Sequence, residues 1–173
     1  VWHPFKAKKA KIVTTQVRQV TDSIRKNNIL PGKGDGDQVD AFRHAYWLAR
    51  LTQEIGWRSA QKLGKAHEKG NYRQFKKGEL EDGKLPDGMS SRMDLYNNFM
   101  GMIIGLSREE HSLIQEIIVL SGQGHFKMIK RNDSGQFLDE NNAIIPVEEI
   151  KGKWENRKCL VPTNWVLGQS TEG

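Results

Sequence analysis

The segment at residues 40–47 places chemically capable side chains on one face of a predicted helix. Asp40 and His44 are four residues apart, so they lie one above the other on a helix surface. Trp47 continues this face one turn later, and Arg43 beside it could hold a phosphate or another oxyanion. Carboxylate, imidazole and guanidinium groups in this pattern indicate a metal site or general acid–base catalysis.

Two later segments carry polar groups at spacings that would let them meet this helix face. The first is the pair His67 and Glu68, near the predicted end of the next helix. The second is a stripe whose members step by four, three and four residues, namely Asp94, Asn98, Gly101 and Gly105, with Asn97 alongside. We therefore predict that three helices converge on a single polar cluster.

The predicted cluster suits hydrolysis, either with a divalent metal ion or without one. Two histidines and one or two carboxylates, with an open coordination position, would suit zinc or manganese. The catalytic candidates, which are also the metal-ligand candidates, are His44, His67, Glu68 and Asp94. The supporting or substrate-binding candidates are Asp40, Arg43, Trp47, Asn97 and Asn98. In a metal-free version, Asp40 or Asp94 would orient His44 as a base.

The same residues could instead form a buried network that only holds the helices together. Buried polar groups must be paired, and His44 could be satisfied by Asp40 or Asp94. Five ionisable or amide groups on three helices nevertheless cost much desolvation, which favours a functional site. The alternative function is a non-catalytic secreted or envelope interaction module whose polar cluster is structural.

Hydrophobic periodicity predicts a mainly α-helical bundle with a small C-terminal β-hairpin or irregular sheet. Five helices are expected, at about 6–28, 38–55, 57–69, 90–104 and 107–122. Asp37 is the predicted N-cap of the second helix and Gly56 its end. Gly70 is the predicted end of the third helix, and the polar stretch 71–88 is expected to be a loop with one helical turn near 74–77.

Serine residues predict the starts of the fourth and fifth helices, and a change from helical to alternating hydrophobic periodicity predicts where the β appendage begins. Ser90 or Ser91 is the predicted cap of the fourth helix, and Ser107 with Glu110 forms a capping box that would start the fifth. Alternating residues at 126–130, turn residues at 131–135 and short apolar runs to 161 predict the β appendage. We expect one domain over 1–173, with a helical core at about 6–122 and the appendage at about 125–167.

The overall composition is that of a globular protein with a basic balance. The chain has 173 residues, a formal net charge of +6 and a single cysteine, Cys159, which excludes an internal disulfide and a cysteine-type zinc site. A basic balance can serve an anionic or phosphate-containing surface. The lysines lack interleaved aromatic residues, so no specific nucleic-acid binding is expected. No apolar run is long enough to be transmembrane.

Three ordered motifs, Asp-x-x-Arg-His-x-x-Trp, His-Glu and Met-Asp-x-x-Asn-Asn-x-x-Gly, resemble those of an uncharacterised helical family of bacterial proteins. The matching residues are Asp40, Arg43, His44, Trp47, His67, Glu68, Met93, Asp94, Asn97, Asn98 and Gly101. The resemblance covers about 37–124. Family members occur as C-terminal domains of large secreted or toxin-like proteins and as stand-alone envelope proteins.

This resemblance implies a bacterial origin, a mostly helical domain and a place outside the cytoplasm. The expected location is periplasmic, envelope-attached or secreted, after removal of a leader. A start at Val1 instead of Met is expected either after removal of a leader or in a piece cut from a longer protein. The expected function is therefore a bacterial extracytoplasmic hydrolase-like domain with its site between the second, third and fourth helices.

Overall fold

The computed structural model describes residues 4–80, 85–107 and 109–167. Within these residues the chain forms six α-helices, one short 3-10 helix and two β-strands. They are α1 (Pro4–Lys26), α2 (Gln38–Ile55), α3 (Trp57–Lys77), α4 (Gly88–Ser107), the 3-10 helix Glu110–Ser112, α5 (Leu113–Gly122), β1 (Lys127–Ile129), α6 (Val147–Ile150) and β2 (Leu160–Pro162). The predicted mainly α fold with a small antiparallel sheet is confirmed.

Helix α2 is the central element, and it packs against α1, α3, α4 and α5. Both of its predicted ends are confirmed. The Asp37 side chain accepts the N–H of Asp40 at the first turn, and Gly56, at a φ of 82°, donates its N–H to the carbonyl of Thr52. Because α2 is covered on most sides, the polar side chains it carries must find partners inside the protein.

Helices α2 and α4 approach closely along a seam of small residues. A methyl group added at Gly101 would overlap the backbone carbonyl of Ala45, and one added at Gly105 would lie 2.5 Å from the carbonyl oxygen of Ala49. Gly105 therefore packs against α2 and does not end α4, which continues to Ser107. Close backbone contact lets short side chains on the two helices reach each other across the seam.

Helix α3 is longer than predicted, because Gly70 does not terminate it. The helix runs to Lys77 and ends where Gly78 adopts a left-handed conformation with a φ of 68°. Its last two turns are held by tertiary contacts. The ring centroids of Tyr72 and Phe75 lie 4.8 and 5.2 Å from the ring centroid of Trp154. The predicted loop at 71–88 is therefore wrong at residues 71–73, while the predicted helical turn near 74–77 belongs to α3. Residues 81–84 lie outside the described part.

Two serine caps were also predicted wrongly. Asp87 starts α4 in place of Ser90 or Ser91, because its Oδ1 atom accepts the backbone N–H groups of Met89 and Ser90. Ser107 does not begin the fifth helix. It is the last residue of α4, and its hydroxyl donates to the carbonyls one turn earlier. Helix α5 instead begins at Leu113, directly after the 3-10 helix.

The C-terminal region joins its strands across a long stretch of sequence. Strand β1 pairs antiparallel with β2, so that Met128 faces Val161. Two isolated bridges, Arg131 to Phe137 and Leu138 to Ile144, shape the chain between the strands. Buried Phe126 attaches this region to the main hydrophobic core. Within the described ranges, we find no helix with both the length and the apolar character that a membrane crossing requires.

Candidate metal centre

Three buried side chains from two helices meet at one point. The Nε2 atom of His44 lies 3.2 Å from Oδ1 of Asp94 on α4 and 3.5 Å from Oδ1 of Asp40, one turn earlier on α2. One ligand atom from each of the three residues lies within 4.8 Å of the others. All three residues are at least nine-tenths buried. Among the described residues, this is the group of histidine and carboxylate side chains that fits a single ion.

The loop before α2 fixes the orientation of Asp40. The N–H of Gly36 donates to Oδ2 of Asp40 at 2.7 Å, which leaves Oδ1 directed at His44. The Asp37 carboxylate folds the same loop back by accepting the N–H groups of Lys33 and Gly34. Gly36 has a φ of 69°, a conformation that glycine adopts without strain, so the loop can place its N–H at the carboxylate.

The α2–α4 seam positions Asp94 on the other side of the centre. Gly101 and Gly105 bring α4 against α2, and Asp94 lies two helical turns before Gly101 on the same face. Asn97, three residues after Asp94 on the same helix, attaches α4 to β1. Its amide donates to the carbonyl of Lys127 and accepts the N–H of the same residue, both at 2.9 Å. Asn97 is thus a link to β1 and does not reach the centre.

Burial shapes the charge states of the donor groups. Desolvation lowers the pKa of His44 well below its ordinary value, and the nearby charges of Arg43 and His67 lower it further, while Asn98 opposes the shift. Desolvation also raises the pKa of Asp40 to about 6, although Arg43 acts against this. At neutral pH the imidazole is therefore uncharged, which is the state that binds metal ions.

The centre lies at the floor of an open cleft of about 780 Å3. Asp40, His44 and Asp94 all contribute to its lining, and so do Arg43 and His67. The three residues therefore border the cleft, although the Oδ1 atoms of Asp40 and Asp94 are themselves almost fully covered. A concave, solvent-connected site with a few convergent polar groups is the usual form of a ligand or active site.

His67 and Glu68, although adjacent in sequence, occupy different environments. His67 lies on the cleft wall, its side chain 38% exposed, with its ring 6.4 Å from that of His44 and edge-on to that of Trp47. Glu68 is buried between α3 and α4, where its Oε2 atom accepts hydrogen bonds from Ser91 and Asn71. Of these two predicted residues, only His67 lines the cleft.

The remaining predicted residues surround the centre. Asn98 is buried beside the imidazole, and neither its amide atoms nor Nδ1 of His44 meets strict hydrogen-bond geometry within the described residues. Trp47 donates from its indole nitrogen to Thr14 on α1, and so ties α1 to the centre. Arg43 has its Nη2 atom 2.5 Å from Oδ1 of Asp40 and 3.3 Å from Nε2 of His44.

Sequence reasoning missed several residues of the cleft. Asn71, one turn after His67, was assigned to a loop because Gly70 was taken as a helix end. A helix continued through Gly70 would have placed His67 and Asn71 on one face. The ion pair between Lys158 and Asp87, with 2.5 Å between the charged atoms, also lines the cleft. It joins segments far apart in sequence, and no local pattern signals it.

The two donor distances from His44 match those expected around a divalent ion. Ligand atoms about 2.1 Å from a tetrahedral ion lie about 3.4 Å apart, and the two distances from His44 are 3.2 and 3.5 Å. One neutral imidazole and two carboxylates suit zinc or manganese, and three protein ligands leave a position open. Asn98 beside the imidazole is placed as the outer-shell partner that ligating histidines usually have.

Comparisons with known proteins place the chain in a family but assign no activity. No curated protein and no solved structure matches it. The model of one family, described as "Domain of unknown function (DUF6973)", matches residues 1–124. That range includes α1 to α5 and every residue of the candidate metal centre. The expectation of an uncharacterised family is confirmed at this level, and the chain belongs to the DUF6973 family.

Proposed function

We propose that this protein is a metal-assisted hydrolase whose ion is held by Asp40, His44 and Asp94. The observation that carries the proposal is the meeting of three buried donor atoms at the floor of an open cleft. Buried carboxylates and an imidazole are costly to desolvate, and a bound cation would offset that cost. We further propose that residues 1–173 form one domain.

The positions of the side chains assign them separate roles in metal binding, proton transfer and helix packing. His44, kept neutral by burial, and the two carboxylates would hold the ion with one position open to the cleft. A bound divalent ion would polarise the substrate and activate water. His67, on the cleft wall near His44, is placed to move a proton. Glu68 would act only by holding α3 against α4 through Ser91.

A bacterial, extracytoplasmic setting is part of this proposal. It rests on the resemblance of the three ordered motifs to secreted, toxin-like and envelope proteins. The net positive charge of the chain agrees with a substrate at an anionic surface. Expression of the native gene followed by cell fractionation would test the location independently of any activity.

One observation favours a second candidate, a non-catalytic interaction module. The Arg43 guanidinium contacts both Asp40 and His44, so the cluster has an internal cation even without a metal ion. In that case the cluster would serve mainly to hold α2 and α4 together. The open cleft above it favours the hydrolase, because a purely structural network gains nothing from solvent access.

Metal analysis separates the two candidates. Protein stripped with a chelator should bind one zinc or manganese ion per chain in calorimetry, and Asp94→Asn should abolish that binding. Asp22→Asn, which removes a carboxylate from the cleft rim, is the matched control and should leave binding unchanged. Absence of divalent-ion binding to the unmodified chain would contradict the hydrolase and favour the interaction module.

A further inference from the structure

We propose that the metal-loaded centre binds a phosphate group of its substrate through Arg43, assisted by Arg18 and Lys33 at the cleft rim. This inference rests on the proposed hydrolase function and names its substrate class. It follows from three observations: the position of the Arg43 guanidinium, the ion pairs formed by the other basic residues of the cleft, and the net charge of the site after an ion binds.

Arg43 occupies space that a bound ion needs. Its Nη2 atom lies 2.5 Å from Oδ1 of Asp40 and 3.3 Å from Nε2 of His44, the two donor atoms that α2 contributes. An ion bound about 2.1 Å from both atoms would be in contact with the guanidinium and would repel it. Ion binding must therefore displace the end of the Arg43 side chain.

The displaced guanidinium has space to move into the cleft. Arg43 lines the cleft, and its side chain is 33% exposed, whereas Asp40 and His44 below it are enclosed by α2 and α4. The flexible stem of an arginine allows such a movement without any change in the backbone. In the loaded state Arg43 would then project its hydrogen-bond donors towards the substrate, directly above the ion.

Two more cations at the rim lack an acidic partner. Arg18 on α1 and Lys33 in the loop before α2 line the cleft, and within the described part of the chain neither side chain forms an ion pair. The other basic residues of the rim differ. Arg25 pairs with Asp22, and Lys158 pairs with Asp87. Arg18 and Lys33 are thus available to a ligand that enters the cleft.

Charge balance then selects a multiply charged anion. The carboxylates of Asp40 and Asp94 balance a divalent ion, so Arg43, Arg18 and Lys33 supply the remaining positive charge of the loaded site. A phosphate group matches this arrangement, because a guanidinium can bind two of its oxygens while an ion coordinates another. A single carboxylate would leave most of the positive charge unbalanced.

The size of the cleft favours a phosphate ester over free phosphate. A volume of about 780 Å3 is in the range that accommodates small organic ligands. A soluble phosphate monoester and the headgroup of a lipid such as phosphatidic acid both carry the phosphate group that this site would bind. Phenyl phosphate and vesicles containing phosphatidic acid therefore serve as two separate probes of one site.

The test measures metal binding and phosphate binding on the same variants. Manganese-loaded protein should bind phenyl phosphate in calorimetry, or bind phosphatidic acid vesicles in a flotation assay. Arg43→Ala should weaken phosphate binding by about tenfold or more, the loss expected for a bidentate guanidinium contact. The same variant should keep or strengthen manganese binding, because it removes a competing cation.

One control variant and two further test variants separate the effects of charge, donor geometry and position. Arg92→Ala removes an arginine on the same helix as Asp94, but outside the cleft, and should leave both measurements unchanged. Arg43→Lys should give an intermediate phosphate affinity, since it keeps the charge but loses the planar donor pair. Arg18→Ala, at an exposed position, should also weaken phosphate binding without affecting the fold.

The possible failures are distinguishable. If the unmodified chain binds manganese but neither phosphate probe, the phosphate inference is wrong and the metal centre stands. If Arg43→Ala loses manganese binding together with phosphate binding, Arg43 holds the donors in place and the displacement is wrong. If the unmodified chain binds no divalent ion, the proposed hydrolase itself fails.

Discussion

The Nε2 atom of His44 and the Oδ1 atom of Asp94 lie 3.2 Å apart across the seam between α2 and α4. Neither helix could form the centre alone, since α2 supplies two donors and α4 the third. Their separation is set by the glycines of α4, which allow backbone contact with Ala45 and Ala49. The packing of small residues and the chemistry of the site are therefore one structural feature.

Gly101→Ala should disrupt this seam. The added methyl group would overlap the Ala45 carbonyl, which is backbone and cannot rotate away. Overpacking of this kind costs about 1–3 kcal/mol of unfolding free energy or more, and it should weaken manganese binding by separating Asp94 from His44. Urea denaturation and calorimetry would measure the two effects.

Gly70→Ala is the matched control for the previous variant. Gly70 is also helical, but an added methyl group would meet no atom within 4 Å. Alanine is the better helix former, so the change should stabilise the protein by about 0.5–1 kcal/mol. A destabilised Gly70→Ala protein would show that α3 does not continue as a helix through this position.

Glu68→Ala and His67→Ala should differ strongly in stability. Removing the buried Glu68 carboxylate leaves the hydroxyl of Ser91 and the amide of Asn71 without their acceptor, at a cost of about 1–3 kcal/mol. His67 is half-buried at the cleft wall, so its loss should change unfolding free energy by less than about 0.5 kcal/mol. Equal losses in thermal or urea unfolding would place both residues in one structural network.

Trp47→Ala should lower the unfolding free energy by about 3 kcal/mol, because the indole packs against the core and against the ring of His67. Trp47→Phe keeps an aromatic ring but removes the hydrogen bond to Thr14, and should cost about 1 kcal/mol. Chemical denaturation of both variants would separate packing from hydrogen bonding. An unchanged midpoint for Trp47→Ala would mean that the indole contributes to substrate binding and not to stability.

Cys159 should react slowly with iodoacetamide at pH 8. Burial raises the pKa of its thiol, and the neighbouring carboxylates Glu140 and Asp139 add to the shift, although Lys130 opposes it. A raised pKa means a smaller thiolate fraction at any given pH, and only the thiolate is alkylated. The rate should therefore continue to rise beyond pH 9. A plateau below pH 8.5 would contradict the direction of the shift.

Local sequence was sufficient wherever a short-range interaction decides the structure. Asp37 and Gly56 mark both ends of α2 because an N-cap carboxylate and a glycine with positive φ act within one turn. The spacing of Asp40 with His44, and of Asp94 with Gly101, fixes a common helix face for each pair. These local rules predicted which side chains share a helix face, while the role of those side chains as a site remains a prediction.

Tertiary structure decided what local rules leave open. Gly70 and Ser107 carry ordinary helix-boundary signals, but contacts of Tyr72 and Phe75 with Trp154 extend α3, and packing of Gly105 on Ala49 extends α4. His67 and Glu68 point about 100° apart on α3, so both cannot face the cleft. The rotation of α3 selects His67. Helix α3 contacts both α2 and α4, with Gly64 close to Leu48 and Asn98, and no single segment of sequence encodes this contact between three helices.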